Sequence, residues 1–195
     1  GIIKSLPKII GVQSVHANPV CRYYREPDPA KRHFSPITVK ASVAQAAMIG
    51  NPVSMPRVIE LVEQYNRRAD GRRIAFVEVA EQEIMDWELR ANRNGHIACT
   101  HGGECLAGLV QARRHGLVGE DDLAIVDSTA HALKFGGFQD MYFQNRFPSE
   151  FNIQPRPELI NTPLLVKPSG LDRLPEPGKP LSGDAFQKFV EQVAQ

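Results

Sequence analysis

Arg73-Ile-Ala-Phe-Val-Glu-Val79, followed by Ala80–Asn94 (AEQEIMDWELRANRN), decides the fold. The first stretch is short, apolar and β-branched, which predicts a buried strand. The second opens with Glu81 and Glu83 and closes with Arg90 and Arg93. That order complements a helix macrodipole and predicts a helix leaving the end of the strand. Similar units lie on either side. Ile9–Val15 (IIGVQSV) reads as a strand, Ile97–Cys99 as a brief one and Leu123–Asp127 (LAIVD) as another. Ala41–Ile49 predicts a short helix stopped by Gly50-Asn51-Pro52. Pro56–Ala69 predicts a helix with Val58, Leu61, Val62 and Tyr65 on one face, Pro56 in its first turn and Gly71 past its end. Gly102–His115 predicts another, with Cys105, Leu106, Leu109 and Ala112 inward and Gly116 as its stop. Strands alternating with helices give an α/β fold with a mostly parallel sheet and helices on both faces. Such sheets hold ligands beyond the carboxyl ends of their strands. Ser14–Asn18, Cys99–Gly103 and Ser128–Lys134 occupy those positions.

After Met141 the texture changes, and eight prolines fall between Pro148 and Pro180. Proline fixes φ and removes a donor, so an extended connection is expected there. Phe186, Phe189, Val190 and Val193 then share one face of a terminal amphipathic helix. The expected organisation is a sheet-bearing part over residues 1–140 and a proline-rich extension over 141–195.

Of the 195 residues, 42% are apolar and 23% charged, enough for a buried core. The net charge of +1 provides no global field for nucleic acid or anionic lipid. No apolar run approaches the roughly 20 residues that span a bilayer, and no signal peptide is legible. Cys21, Cys99 and Cys105 form no even-numbered framework, so free thiols in a reducing cytoplasm are expected.

Thr100-His101-Gly102-Gly103 opens a helix, and free N–H groups at a helix start attract anions. The alternative is an N-cap threonine with glycines for tight packing. His96, Cys99, His101 and Cys105 fall within ten residues and superficially resemble a zinc knuckle. Cys105 fits an inner helix face, however, and the four side chains leave different elements, so no metal is expected. Ser128, Thr129 and His131 follow a predicted strand, where a hydroxyl faces either a ligand crevice or its own backbone. Asp127, Ser128 and His131 lie too close in sequence for a catalytic triad, and no nucleophile elbow, Walker loop or dinucleotide fingerprint is present.

Four segments carry a resemblance: GVQSVHANPV (Gly11–Val20), SVAQAAMIGNPVSMPRVIEL (Ser42–Leu61), CTHGGECLAGLVQARRHGLV (Cys99–Val118) and VDSTAHALKF (Val126–Phe135). In order and spacing they resemble the carboxyl-terminal half of threonine synthase, a pyridoxal-phosphate enzyme of the tryptophan-synthase-β fold type. The resemblance implies that residues 1–140 form the carboxyl-terminal part of a large cofactor-binding domain. It implies conversion of O-phospho-L-homoserine and water to L-threonine and phosphate. Fold-related alternatives are a cysteate synthase, a threonine dehydratase or a non-catalytic domain of the same half-fold. The family's cofactor lysine and its phosphate-binding Gly/Asn-rich loop have no match here, so the Schiff-base lysine is expected outside this chain and the chain is expected to be a fragment. Thr129 matches the family threonine that faces the pyridine nitrogen, and Leu133-Lys134 match its Leu-Lys. Ala130 and Ala132 stand where the family has glycines. Thr100, His101, Gly102 and Gly103 are candidates for an anionic substrate group. His16 and Asn18 are candidates near the cofactor, with Asn18 equally readable as a turn residue before Pro19. The partners implied are a small-molecule substrate and the amino-terminal part of the same protein, with a homodimer as a candidate assembly and neither nucleic acid nor membrane.

Overall fold

The computed structural model describes residues 3, 5–69, 71–162, 176 and 178–194. Among these are six α-helices and one two-stranded parallel sheet. β1 (Ile9–Ser14) pairs with β2 (Ile74–Val79), with Ile9 opposite Ile74 and Ser14 opposite Val79. The connection between them includes α1 (Pro19–Arg25) and α2 (Met55–Arg68); α3 (Glu81–Arg93) and α4 (Thr100–Arg114) follow β2.

The two faces of the sheet are covered by different helices, as the strand–helix alternation predicts. On one face α4 comes so close that a Cβ on Gly108 would stand 2.2 Å from Val12 Cγ2. On the other face Tyr24 of α1 stacks on Phe76 with ring centroids 4.5 Å apart. Gln13 Oε1 accepts the Val20 and Cys21 N–H groups at 3.0 Å each, which fixes the start of α1 against β1. Asn66 Oδ1 near the end of α2 accepts the Arg73 and Ile74 N–H groups and so positions the entry to β2.

Several expectations are corrected. Ala41–Ile49 is not a helix beyond a single 3₁₀ turn at Gln45–Ala47. The Val43 N–H goes to Glu81 Oε2 (2.7 Å) and the Ala44 N–H to Ser42 Oγ (3.0 Å), so side chains hold the start of this segment in place. Ile97–Cys99 supplies only an isolated antiparallel bridge, Ala98 to His131. Leu123–Asp127 forms no strand, and Leu123 and Ile125 are almost fully exposed. A strand requires a neighbour, and the described residues give this segment none. In α4 the buried side is made of Gly103, Ala107, Gly108 and Ala112, while Cys105, Leu106 and Leu109 are only half-buried. In α2, Val62 is buried and Leu61 exposed.

Two compact units divide at Ile160/Asn161. The first therefore extends past the change of texture at Met141. It includes α5 (Gly136–Phe143), and Tyr142, Phe151, Ile153 and Leu159 join the core with Val79, Ile84, Met85 and Leu89. The buried Tyr142 hydroxyl donates to Asp86 Oδ1 at 2.7 Å and accepts the Arg156 N–H at 3.0 Å, while Arg156 Nε reaches Asp86 Oδ2 at 2.6 Å. That network ties residues after α5 to α3. In the second unit α6 (Gly183–Val193) forms as predicted, with Phe186, Val190 and Val193 exposed. Residues 163–175 of the proline-rich stretch lie outside the described residues. No described helix is long and apolar enough to cross a membrane.

Glu88 on α3 is wholly buried, and burial pushes its carboxyl up to about 7, against a hydrogen bond from Gln139 Nε2 that acts the other way. The folded state therefore holds a proton that the unfolded chain releases near the ordinary glutamate value. Stability from this group is full below that value and is lost as pH rises towards 7. Thermal melts of Glu88→Gln are expected to lose part of the decline in stability that the unaltered chain shows between about pH 5 and 7.5, about 1–3 kcal/mol for a shift of this size. Parallel curves for the two proteins would contradict the assignment.

Candidate functional site

The carboxyl ends of β1 and β2 converge on one polar cluster. Ser14 Oγ, at the end of β1, hydrogen-bonds Glu81 Oε1 at the start of α3 and accepts the His16 N–H at 3.0 Å. His16 Nδ1 lies 2.5 Å from Ala41 O and 3.6 Å from Glu81 Oε1. A carbonyl only accepts, so Nδ1 carries the proton in that contact. Lys40 N–H donates to His16 O, and Glu81 holds Val43 N–H. Together these bonds lash residues 40–44 across the strand ends. Gly50 completes the loop: a Cβ there would stand 2.1 Å from Ile37 O, so the glycine of Ile49-Gly50-Asn51-Pro52 serves a close backbone approach.

The same loop reaches the start of α4. Ala46 N–H donates to His101 Nε2 at 3.1 Å, which requires that nitrogen to be unprotonated. Burial, and then the Lys134 ammonium, push the His101 imidazole below its ordinary value. His101 Nδ1 is 3.7 Å from Cys99 Sγ. The residue capping α4 is Cys99 and not Thr100, which stands in the first turn, fully buried, with Oγ1 unpartnered. Gly103 N–H is already taken by Cys99 O at 3.0 Å. The free N–H groups of the first turn are those of Thr100, His101 and Gly102.

Both glycines are in tight contact. A Cβ on Gly103 would meet Ile84 O at 2.4 Å, and one on Gly102 would meet Ala98 Cβ at 3.0 Å and Ser128 Oγ at 3.2 Å. Ser128 therefore lies directly against the start of α4. Cys99 N–H donates to Ala130 O and Ala132 N–H to Ile97 O, both at 3.2 Å. These bonds hold Thr129 beside the helix start, with its side chain exposed and unbonded. The only non-glycine residues with positive φ among those described are Asn145 and Asn152, so Ala130 and Ala132 sit in ordinary backbone conformations.

The structure thus brings Thr100, His101, Gly102, Gly103 and Thr129 together, and the 40–47 loop links them to His16. Asn18 belongs elsewhere. It is buried at the start of α1, where Nδ2 donates to Glu78 Oε1 (3.0 Å) and Oδ1 accepts from Arg22 Nε (2.9 Å). No group of three histidine, cysteine or acidic side chains able to hold a metal occurs among the described residues. Sequence reasoning missed Glu81 and Glu104. Glu104 is buried on α4 with Oε1 unpartnered, and burial, then Glu81, push its carboxyl up to about 7. Its signal was a carboxylate among the glycines and alanines of the buried side of α4.

The fold is an α/β arrangement whose polar groups gather at the ends of parallel strands. Over 135 residues, 69% of its length, the chain is 32% identical to threonine synthase 2, chloroplastic, of Arabidopsis thaliana. Over the same length it is 27% identical to the threonine synthases of Methanocaldococcus jannaschii and of Methanosarcina acetivorans. The chain is a partial homologue of threonine synthases, a family that uses pyridoxal phosphate. It spans 24% of the Arabidopsis protein and 31% of each of the other two. No family model matches it.

Proposed function

We propose that the chain provides one side of the cofactor site in a cytoplasmic threonine synthase, which converts O-phospho-L-homoserine and water to L-threonine and phosphate. The observation that carries this reading is Thr129, whose unbonded, exposed hydroxyl is held by flanking backbone bonds beside the start of α4. The residues present fit one edge of pyridoxal phosphate. Thr129 would face the pyridine nitrogen, and the N–H groups of Thr100, His101 and Gly102 would face an anionic group of substrate or cofactor. When bound, the cofactor withdraws electrons from the substrate carbon skeleton; a neutral hydroxyl beside its nitrogen moderates that withdrawal. His101, kept neutral by burial and Lys134, adds no positive charge at the helix start.

The anchoring lysine would come from another part of the polypeptide, since none of Lys4, Lys8, Lys31, Lys40, Lys134, Lys167, Lys179 or Lys188 stands in the family's lysine motif. The 195-residue chain alone is accordingly expected to release no phosphate from O-phosphohomoserine and to retain no pyridoxal phosphate after desalting. A borohydride-reducible adduct at one specific lysine of this chain would contradict that expectation. The intact polypeptide is expected to release phosphate from O-phosphohomoserine in step with threonine formation. Failure to do so with cofactor bound would favour the non-catalytic or related-enzyme alternatives.

A further inference from the structure

The segment 44–49 is anchored at both ends and tied to α4 in its middle. Before it, the Val43 N–H is held by Glu81 Oε2, and Ala44 is buried. After it, Gly50 O accepts the Ile37 N–H at 3.0 Å. Between these points the Ala46 N–H donates to His101 Nε2 at 3.1 Å. Among the described residues, the other hydrogen bonds of 44–49 stay within residues 42–49. Ala47 packs against the core, whereas Gln45, Ala46 and Ile49 are exposed. The bond at Ala46 exists in one protonation state of the ring. A backbone N–H only donates, so Nε2 presents its lone pair. The neutral ring then carries its proton on Nδ1, which lies 3.7 Å from Cys99 Sγ and donates to the sulfur. A second proton enters at Nε2, turns the acceptor into a donor aimed at the Ala46 N–H, and abolishes the bond. Lys134 is the charged group that acts on the ring, from the 3₁₀ turn Ala132–Phe135. The Phe135 ring of the same turn is 5.3 Å from the imidazole. Cys99 is the titratable neighbour at the start of α4, and residues 44–49 contain no titratable side chain.

We propose that His101 is a proton-operated latch: its neutral ring holds residues 44–49 against the start of α4, and its protonation releases them. His101 acts through the segment it holds and is a positioning residue for the site at the strand ends. Burial, then Lys134, keep the imidazole below its ordinary value of 6.5. The latch is therefore shut at neutral pH and opens as pH falls through a value on the acid side of 6.5. Glu81 on one side and Ile37 on the other keep their bonds, so the opening is confined to the span between Val43 and Gly50. This inference goes beyond the cofactor reading and needs neither cofactor nor substrate.

The test is NMR on the full 195-residue chain from about pH 5 to about pH 7.5, the range in which histidines titrate. Long-range proton–nitrogen spectra read the tautomer and titration of His101, and hydrogen exchange reads the Ala46 amide. The expected result at the alkaline end is the Nδ1–H tautomer. On acidification, Ala46 exchange, corrected for its intrinsic pH dependence, should rise with the same midpoint as the ring. The rise should be about two- to tenfold, the equivalent of one neutral hydrogen bond. Exchange of the Val43 amide, held by Glu81, should not follow that midpoint. His101→Gln supplies an acceptor that does not titrate, so Ala46 should stay protected and lose its pH dependence. Glu88 and Glu104, both pushed up to about 7, remain in that variant, which separates their titration from the latch. The proposal is overturned if the neutral ring is the Nε2–H tautomer, if Ala46 exchange ignores the ring's titration, or if His101→Gln keeps the pH dependence of the unaltered chain. Thr129→Val leaves these readouts unchanged, so failure here is distinguishable from failure of the cofactor reading.

Discussion

Gly103→Ala is expected to lower the melting temperature by roughly 4–8 °C, from a loss of about 2 kcal/mol in a domain of this size. The new methyl group would stand 2.4 Å from Ile84 O, 2.8 Å from Glu88 Cβ and 3.0 Å from Glu88 N. Two of those atoms belong to the main chain of α3, and a helix backbone does not move aside as a flexible side chain does. Overpacking of this kind costs about 1–3 kcal/mol, occasionally more. Replacing glycine by alanine inside a helix favours the helix by about 1 kcal/mol, so the two effects oppose each other. The main-chain clash is the larger, and it opens the α3–α4 interface beside Glu88, which is already buried with Oε2 unpartnered. Gly137→Ala in α5 is the control. Nothing lies within 4 Å of its added methyl group, so stability should hold or rise. Differential scanning calorimetry of both variants checks the pair; equal melting temperatures for Gly103→Ala and the unaltered chain would remove the packing role.

Most of what was legible in the sequence was local. The β-branched runs Ile9–Val15 and Arg73–Val79 formed the strands, and the charge order from Glu81 to Arg93 marked α3 to within a residue. Pro56 and the period of Val58, Val62 and Tyr65 marked α2. The failures were tertiary. Leu123–Asp127 has the intrinsic pattern of a strand but no neighbouring strand to complete it, and pattern is silent about partners. Ala41–Ile49 has helical composition, yet it makes only the 3₁₀ turn Gln45–Ala47, with its start tied by Val43 to Glu81 on another element. On α4 the large apolar residues Cys105, Leu106 and Leu109 do not mark the buried side, although Ala112 does. Here Gly103 and Gly108 lie closest to the neighbouring backbone and to Val12.

The site was legible one piece at a time. Thr100–Gly103 and Thr129 each stood out by position, but their adjacency depends on the bridge between Ala98 and His131, which spans more than thirty residues of sequence. Glu81 is legible in the sequence only as an acidic residue at a helix start, and Glu104 carries no signal beyond its place in α4. The burial of Glu81 goes with its bonds to Ser14 and to the Val43 N–H at the strand ends, a relation that no helical period encodes.

Thr129→Val carries the largest effect expected on chemistry. Ser128 Oγ lies against Gly102 at the start of α4, whereas the Thr129 side chain is exposed and unbonded. Thr129 is therefore the hydroxyl available to a ring nitrogen. Valine keeps the shape and removes the donor. One neutral hydrogen bond contributes about 0.5–1.5 kcal/mol net, so cofactor affinity should fall by about tenfold or less. Turnover should fall by more than about tenfold, because the hydroxyl also sets how strongly the ring withdraws electrons. Thr129→Ser, which restores the donor, should recover most of the loss, and Ser128→Ala should have little effect. The most direct measurement is phosphate release from O-phosphohomoserine by the intact polypeptide at saturating cofactor, compared across these three variants. The expected result is a large loss in Thr129→Val, rescue in Thr129→Ser and near-normal turnover in Ser128→Ala. Normal turnover in Thr129→Val together with its abolition in Ser128→Ala would contradict the assignment of Thr129 to the cofactor ring.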